Sequence, residues 1–124
     1  MAIATIRTLV FDCPHPYALA DFYAQLLGGE IEGETDSEWV DLYIGEVKRL
    51  SFQRVPDYVP PVWPSTSHSQ QLHLDLDVDD MEAREKEVLA LGAKALDVED
   101  EGGRRDFRVY ADPVGHPFCL IRPE

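Results

Sequence analysis

Apolar positions recur along this chain with a period of two in some segments and a helical period in others, and their order predicts the secondary structure. Residues 3–11 alternate loosely and predict a strand. A helix is predicted to begin at His15-Pro16, because proline is harmless in a first helical turn, and to end at Gly28-Gly29. Leu19, Phe22, Tyr23 and Leu26 give it one apolar stripe. Strands are predicted next over 31–34, 39–44 and 48–55.

The same order of elements begins again after residues 56–69, whose four prolines and following Ser and Thr residues predict a linker without ladder hydrogen bonds. Leucines and Val78 alternate with polar residues over 71–79 and predict a strand with one buried face. Asp79 is predicted to cap a second helix, and Gly92 to end it. Gly102-Gly103 is interpreted as a hairpin turn among the last three predicted strands, 94–98, 105–111 and 117–122.

These elements predict an α+β domain made of two β-α-β-β-β repeats. The second helix starts about 65 positions after the first, and both helices end in Leu-Gly followed by a small residue. We therefore predict one domain over 1–124, with the first repeat at 1–55, a linker at 56–69 and the second repeat at 70–124.

Charge restricts the classes of partner. The chain of 124 residues carries a formal net charge of −13, whereas surfaces that bind nucleic acid or anionic membranes are basic. We expect neither as a partner, and expect a small-molecule ligand instead. The first ten residues lack the features of a secretory signal, and the two cysteines form no metal-type pair in sequence, so we predict a cytoplasmic protein with reduced thiols.

Several motifs, weak singly, occur in an order that resembles the glyoxalase/bleomycin-resistance/dioxygenase (vicinal oxygen chelate) superfamily, in its glyoxalase-like branch. They span nearly the whole chain: Phe11-Asp12-Cys13-Pro14, Leu19-Ala20-Asp21-Phe22-Tyr23, Leu26-Leu27-Gly28, Val62-Trp63-Pro64, His73-Leu74-Asp75-Leu76-Asp77-Val78-Asp79-Asp80 and Asp112-Pro113-Val114-Gly115-His116-Pro117-Phe118-Cys119.

The resemblance implies cupped mixed sheets with a ligand site inside the cup, commonly in a homodimer. Metal-dependent members have four ligands, usually His or Glu, on the first and last strands of the repeats. Those positions correspond here to Thr8, Gln53, His73 and Cys119. Only His73 is an ordinary ligand, so we expect no metal cofactor; a divalent metal, if one binds, is expected at His73 and Cys119.

Pleating predicts which side chains line the cup, because alternate residues of a strand share a face. This predicted lining joins two aromatic rings, two carboxylates, an imidazole and two neutral polar groups: Trp39, Asp41, Tyr43, Ser51, Gln53, His73 and Asp75. Such a surface suits a cationic or planar ligand. The alternative interpretation is that the rings fill a dimer contact and the aspartates are merely solvated.

Two functions follow, with a third, a partner-binding domain, carrying less weight. The first is a protein that binds a small aromatic or cationic compound without a conventional metal centre. The second is a glyoxalase-type lyase or isomerase, or a dioxygenase-like enzyme, with an atypical site centred on His73 as the catalytic group, beside Asp75. For His73 the plainer interpretation is a hydrogen-bonded strand histidine. Whether the protein is an enzyme stays open at this point.

Overall fold

The computed structural model describes residues 2–123, and it describes residues 48 and 49 by their backbone alone. The described chain divides into two compact units, unit 1 (Met1–Tyr58) and unit 2 (Val59–Glu124), with the boundary inside the predicted linker. Unit 1 contains β1 (Leu9–Cys13), α1 (Pro16–Leu27), β2 (Glu30–Glu32), β3 (Trp39–Ile44) and β4 (Val47–Arg54). Unit 2 contains β5 (Leu74–Asp77), α2 (Met81–Ala90), β6 (Lys94–Asp97), β7 (Phe107–Ala111) and β8 (Pro117–Ile121).

Each unit folds its strands into one four-stranded mixed sheet. The strand orders are β1-β4-β3-β2 and β5-β8-β7-β6, so that the first strand of each unit lies beside the last. Those two strands are parallel in both units, and the other pairs are antiparallel. The helices begin at Pro16 and Met81, 65 positions apart. The predicted α+β arrangement of two β-α-β-β-β repeats is thus confirmed. Among the described residues, no helix has the length and apolar character needed to cross a membrane.

Unit 1 is held together by aromatic packing between α1 and the sheet. The Tyr23 ring is fully buried, with its centroid 5.2 Å from that of Phe11 and 5.8 Å from that of Phe52. Leu19 and Phe22 are buried on the same helix. Burying such rings stabilises a fold by roughly 1.5–3 kcal/mol each, so the apolar stripe predicted from the sequence attaches α1 to its sheet.

Unit 2 attaches its helix differently, because α2 buries only Met81 and Val88. Arg108 on β7 is 8% exposed, and its guanidinium forms ion pairs with Asp100 and with Glu85 of α2 at 3.1 Å. A buried arginine is tolerated when carboxylates satisfy its donors. This ion network therefore fixes α2 and the loop at Asp100 to the sheet.

The ion network extends beyond Arg108. Arg122 also pairs with Asp100 and lies 3.3 Å from Glu82, on the first turn of α2. The buried Tyr110 hydroxyl donates to Glu85 at 2.7 Å. Arg108 of β7 and Arg122 after β8 both form ion pairs with Asp100 and with Glu82. These shared carboxylates connect α2, the loop at Asp100 and the two strands.

Two predicted strands begin at least three residues too early. The first begins at Leu9 instead of residue 3, and Ile3 and Ile6 are 105% and 92% exposed, so burial does not draw that segment into the sheet. The strand predicted over 71–79 is limited to Leu74–Asp77. Gln71 has a φ of 62°, which breaks extended backbone, and Leu72 is 68% exposed.

Two local predictions were wrong in detail. Asp80, not Asp79, caps α2 and accepts from the backbone N–H of Ala83 at 3.1 Å. The helix starts late because the Val78 N–H still donates to a backbone oxygen of Ile121 beyond the end of β5. Gly102-Gly103 lies in a short 3₁₀ turn capped by Asp100, not in a two-residue hairpin.

Replacing Arg108 with Met is expected to lower the free energy of unfolding by on the order of 3 kcal/mol, since Asp100 and Glu85 lose a buried partner. Urea unfolding measures this loss. Arg104→Met, at an exposed side chain, is the matched control and should cost under about 0.5 kcal/mol. Equal losses in the two variants would show that the ion network does not fix α2.

The acid stability of unit 2 should depend on Asp100. The hydrogen bond from Arg108 holds the pKa of the Asp100 carboxyl at about 2, below its ordinary value of 3.8, although partial burial opposes this. A carboxyl whose pKa is lowered in the folded state stabilises it above about pH 4 and loses that effect as the pH falls toward about 2. Asp100→Asn should therefore lower the Tm at about pH 6 and match wild type near pH 2. Glu99→Gln, at an exposed neighbour, is the control; a Tm loss in Asp100→Asn that is independent of pH would contradict this assignment.

Candidate functional site

The face of the unit 1 sheet that points away from α1 carries most of the predicted lining. On β3, Val40 and Leu42 are fully buried on the helix side, so alternation turns Trp39, Asp41 and Tyr43 to the other side. Trp39 is 44% exposed, and Asp41 and Tyr43 are half-buried. Trp39 and Asp41 are linked on that side, whereas the register of β3 against β4 shifts between Leu42 and Tyr43.

Three of these side chains, Trp39, Asp41 and Ser51, form one hydrogen-bonded row with Thr8, the polar row. The Trp39 Nε1–H donates to Asp41 Oδ1 at 2.8 Å, and the Ser51 hydroxyl donates to the same oxygen at 2.6 Å. The Thr8 and Ser51 hydroxyl oxygens lie 2.9 Å apart. Because Asp41 accepts from two sides, the indole ring is fixed beside a carboxylate.

Gln53 lies on this face too, but its partner was not foreseen from the sequence. Its Nε2–H donates to Asp12 Oδ1 at 3.0 Å, and the two residues are directly paired between β4 and β1. Asp12 thus adds an exposed carboxylate to the face. Alternation within β1 turns Asp12 to the face opposite Phe11, and the sequence could have predicted this. The sequence does not predict the pairing of Asp12 with Gln53, because the two residues are 41 positions apart.

The remaining predicted residues lie together in unit 2. His73 Nε2 is 3.1 Å from Asp75 Oδ1, with the side chains 39% and 60% exposed. Asp75 is paired with Cys119 across the parallel β5–β8 ladder. One donor atom from each of these three residues lies within 4.8 Å of the other two, so His73, Asp75 and Cys119 form a cluster, the His-Asp-Cys cluster. The sequence predicted His73 with Cys119 as a possible metal pair and His73 beside Asp75, but not the three residues together.

Cys119 is unsuited to act as a nucleophile in this state. Burial, reinforced by the charge of Asp75 and a hydrogen bond with it, raises the pKa of the Cys119 thiol to about 11. The thiolate is the reactive form of cysteine, and it is scarce at neutral pH under these conditions.

His116 belongs to the turn between β7 and β8. Its Nδ1 lies 2.7 Å from Asp112 Oδ2, and the buried Asp112 also accepts from the backbone N–H groups of Val114 and His116. These bonds close the turn that directs the chain into β8. The bonds of His116 to Asp112 therefore assign this residue a structural role in the turn.

The residues at four positions do not form a suitable set of metal ligands in this chain. These are the positions at which metal-dependent members of the resembled superfamily hold their ion. Thr8 is hydrogen-bonded to Ser51, and Gln53 to Asp12, both within unit 1. His73 and Cys119 are in unit 2, where their third companion is Asp75. A hydroxyl and a carboxamide are poor ligands for zinc, nickel or iron, so this four-residue set gives no basis for a metal-dependent step.

Comparison with known proteins identifies the family. The model of the glyoxalase-like domain matches residues 8–121. Among solved structures, a glyoxalase/bleomycin resistance protein/dioxygenase family enzyme from Burkholderia phytofirmans superposes with a TM-score of 0.66 at 18% identity, covering 96% of this chain and 98% of that one. No curated protein sequence matches the chain.

Two further structures have the same fold. A glyoxalase family protein from Enterococcus faecalis gives a TM-score of 0.67 at 20% identity, covering 98% of this chain and 99% of that one. A fosfomycin resistance protein from Mesorhizobium loti gives 0.64 at 13% identity, covering 100% and 95%. At such identities the structures demonstrate the fold alone, whereas the family model covers nearly the whole chain. The chain belongs to the glyoxalase-like domain family, within the glyoxalase/bleomycin-resistance/dioxygenase superfamily.

Proposed function

We propose that this protein binds a small planar cation on the polar row of unit 1, with the Trp39 ring as the stacking surface and Asp41 as the countercharge. The observation that carries the proposal is the 2.8 Å hydrogen bond from Trp39 Nε1 to Asp41 Oδ1. It holds the ring in one orientation while 44% of the residue remains exposed. A ring fixed before binding loses little conformational entropy when a ligand stacks on it.

The charge of the surroundings favours a cation over a neutral compound. Asp12 and Asp41 lie on the same face of the sheet, and the chain has a net charge of −13. A negative field raises the local concentration of cations, and the indole face attracts them through its quadrupole. The predicted lining also included His73 and Asp75; they lie in unit 2, and the proposal does not require them.

The proposal is tested by titrating the protein with N-methylquinolinium and with neutral quinoline at about pH 8. Trp39→Leu removes the aromatic face, and a cation–π contact of about 0.5–2 kcal/mol predicts a roughly two- to thirtyfold weaker Kd for the cation. Calorimetry gives the affinities. Trp63→Phe, at the second tryptophan of the chain, is the matched control and should bind as wild type does.

A charge variant separates recognition of the cation from simple stacking. Asp41→Asn keeps an oxygen to accept from Trp39 and Ser51 but removes the charge, so it should weaken the cation and spare quinoline. Asp36→Asn, at an exposed acid in the turn before β3, controls for net charge. Equal affinity for quinoline and its cation in wild type, or equal effects of the two variants, would refute the role of the acidic face.

The His73–Asp75 contact favours a second candidate function, acid–base catalysis of the lyase or isomerase type. A carboxylate 3.1 Å from Nε2 orients the imidazole, and a positioned imidazole is the commonest group in general acid–base catalysis. His73 would move a proton at a substrate carbon or oxygen. Asp75 would position the ring.

Assays with 2-oxoaldehyde–thiol adducts, with and without added divalent metal, test this candidate. If His73 is the acid–base group, His73→Gln should lower kcat by about 10²- to 10⁴-fold. His15→Gln, at an exposed residue before α1 whose side chain caps nothing, should leave kcat unchanged. Turnover that survives His73→Gln would remove His73 from the mechanism. A homodimer and a cytoplasmic location stay predictions.

A further inference from the structure

One level of the unit 1 sheet carries polar groups across three adjacent strands. Trp39 of β3 is the ladder partner of Gln53 on β4, and Gln53 is the ladder partner of Asp12 on β1. Residues at one level of neighbouring strands extend to the same side of a sheet. Trp39, Gln53 and Asp12 therefore form a second row, the cross-strand row, which leads from the indole ring to β1.

The far end of the cross-strand row is a carboxylate that is oriented but not saturated. Gln53 Nε2–H donates to Asp12 Oδ1 at 3.0 Å. Among the described residues, no group donates to Asp12 Oδ2 or to Gln53 Oε1, and no cation pairs with Asp12. Both side chains are exposed, so these two oxygens can accept hydrogen bonds from a group that arrives from solvent.

An apolar side chain lies next to Asp12 on the same face. Phe11 and Cys13 are buried on the other side of β1, so alternation turns Val10 and Asp12 toward the cross-strand row. Val10 is 39% exposed. Methylene groups that cross the sheet toward Asp12 would cover part of this side chain, and removing apolar surface from water is favourable. The β1 end of the face thus suits an alkyl chain that ends in a cation.

The spacing of the strands sets the length of that chain. Neighbouring strands are about 4.8 Å apart, so Trp39 and Asp12, which are two strands apart, are separated by roughly 10 Å. A compact planar cation that stacks on Trp39 beside Asp41 does not reach Asp12. A ligand that touches both ends must carry a second group at about this distance from its ring.

We propose that the ligand of unit 1 is an aromatic cation with an alkyl arm that ends in a primary ammonium group. The ring stacks on Trp39, and the ammonium donates to Asp12 and Gln53. This inference rests on the proposed stacking of a planar cation at Trp39 and adds a second point of contact. A primary ammonium has three N–H donors and a quaternary ammonium has none, so the two available oxygens favour the primary amine.

The experiment compares ligands that differ only in the arm, by calorimetry at about 0.15 M ionic strength, where long-range attraction is screened. N-(aminobutyl)quinolinium has an arm that spans the row, and N-pentylquinolinium is its counterpart with a terminal methyl group. Because an exposed ion pair contributes little, wild type should bind the amine roughly two- to fivefold more tightly. An arm of the same length that ends in trimethylammonium keeps the charge but has no donor, and should lose most of this advantage.

A matched pair of variants assigns the advantage to Asp12. Asp12→Asn removes the charge but keeps an oxygen that can accept from Gln53 Nε2. Asp36→Asn removes one charge at another exposed acid and is the control. The advantage of the aminobutyl compound over the pentyl compound should vanish in Asp12→Asn and persist in Asp36→Asn. N-(aminoethyl)quinolinium, whose arm is too short to reach Asp12, should respond equally to the two variants.

The outcomes separate this proposal from the simpler one. An advantage of the aminobutyl compound that requires both Asp12 and Trp39 supports the second contact point. An advantage that survives Asp12→Asn, or an affinity for the aminobutyl compound that Trp39→Leu leaves unchanged, would overturn it. If N-methylquinolinium still binds through Trp39 in that case, the planar-cation site stands and only the contact at Asp12 fails. If no cation binds in a way that depends on Trp39, both proposals fail.

Discussion

Parallel pairing between the first and last strands of each unit is the constraint that brings polar side chains from distant parts of the chain together. In unit 1 it brings Asp12 directly beside Gln53, and in unit 2 it brings Asp75 beside Cys119. A parallel pair cannot be closed by a short turn, so a helix and two strands must lie between the partners in sequence. Each of these two pairs consequently joins residues more than 40 positions apart.

The two units satisfy this same topology with different interactions. In unit 1 the helix is held by the buried rings of Tyr23, Phe11 and Phe52, and the polar groups are confined to the opposite face. In unit 2 the helix side itself contains the charged Arg108 and its carboxylate partners. An apolar core and an ion network are alternative ways of covering a sheet, but the second requires every buried donor to be satisfied.

The sequence predicted what depends on local periodicity and missed what depends on distant pairing. The predicted bounds of β3 agree with the structure because alternation and flanking turns specify both ends. β5 was predicted too long because apolar and polar residues alternate back to Gln71, whose positive φ interrupts the extended backbone. Trp39 and Asp41 were assigned to one face because two-residue spacing determines facing. Their hydrogen bond, by contrast, depends on side-chain rotamers.

The burial of Arg108 could not be read from the sequence either. Its neighbours indicate only a strand, and the carboxylates that make its burial tolerable come from α2 and from a loop eight residues away. The His-Asp-Cys cluster was predicted only as two separate pairs, for a related reason. The ladder register that places Cys119 beside Asp75 is a property of strands separated by a helix and two other strands.

The ion network has a consequence for how this protein can diverge. A hydrophobic core accepts single substitutions of similar size, so unit 1 can drift one residue at a time. In unit 2, loss of any shared cation or carboxylate leaves its partners buried without compensation, so changes at Arg108, Asp100 and Glu85 must arise together or in a compensated order. Libraries that randomise unit 2 should therefore vary these three positions together.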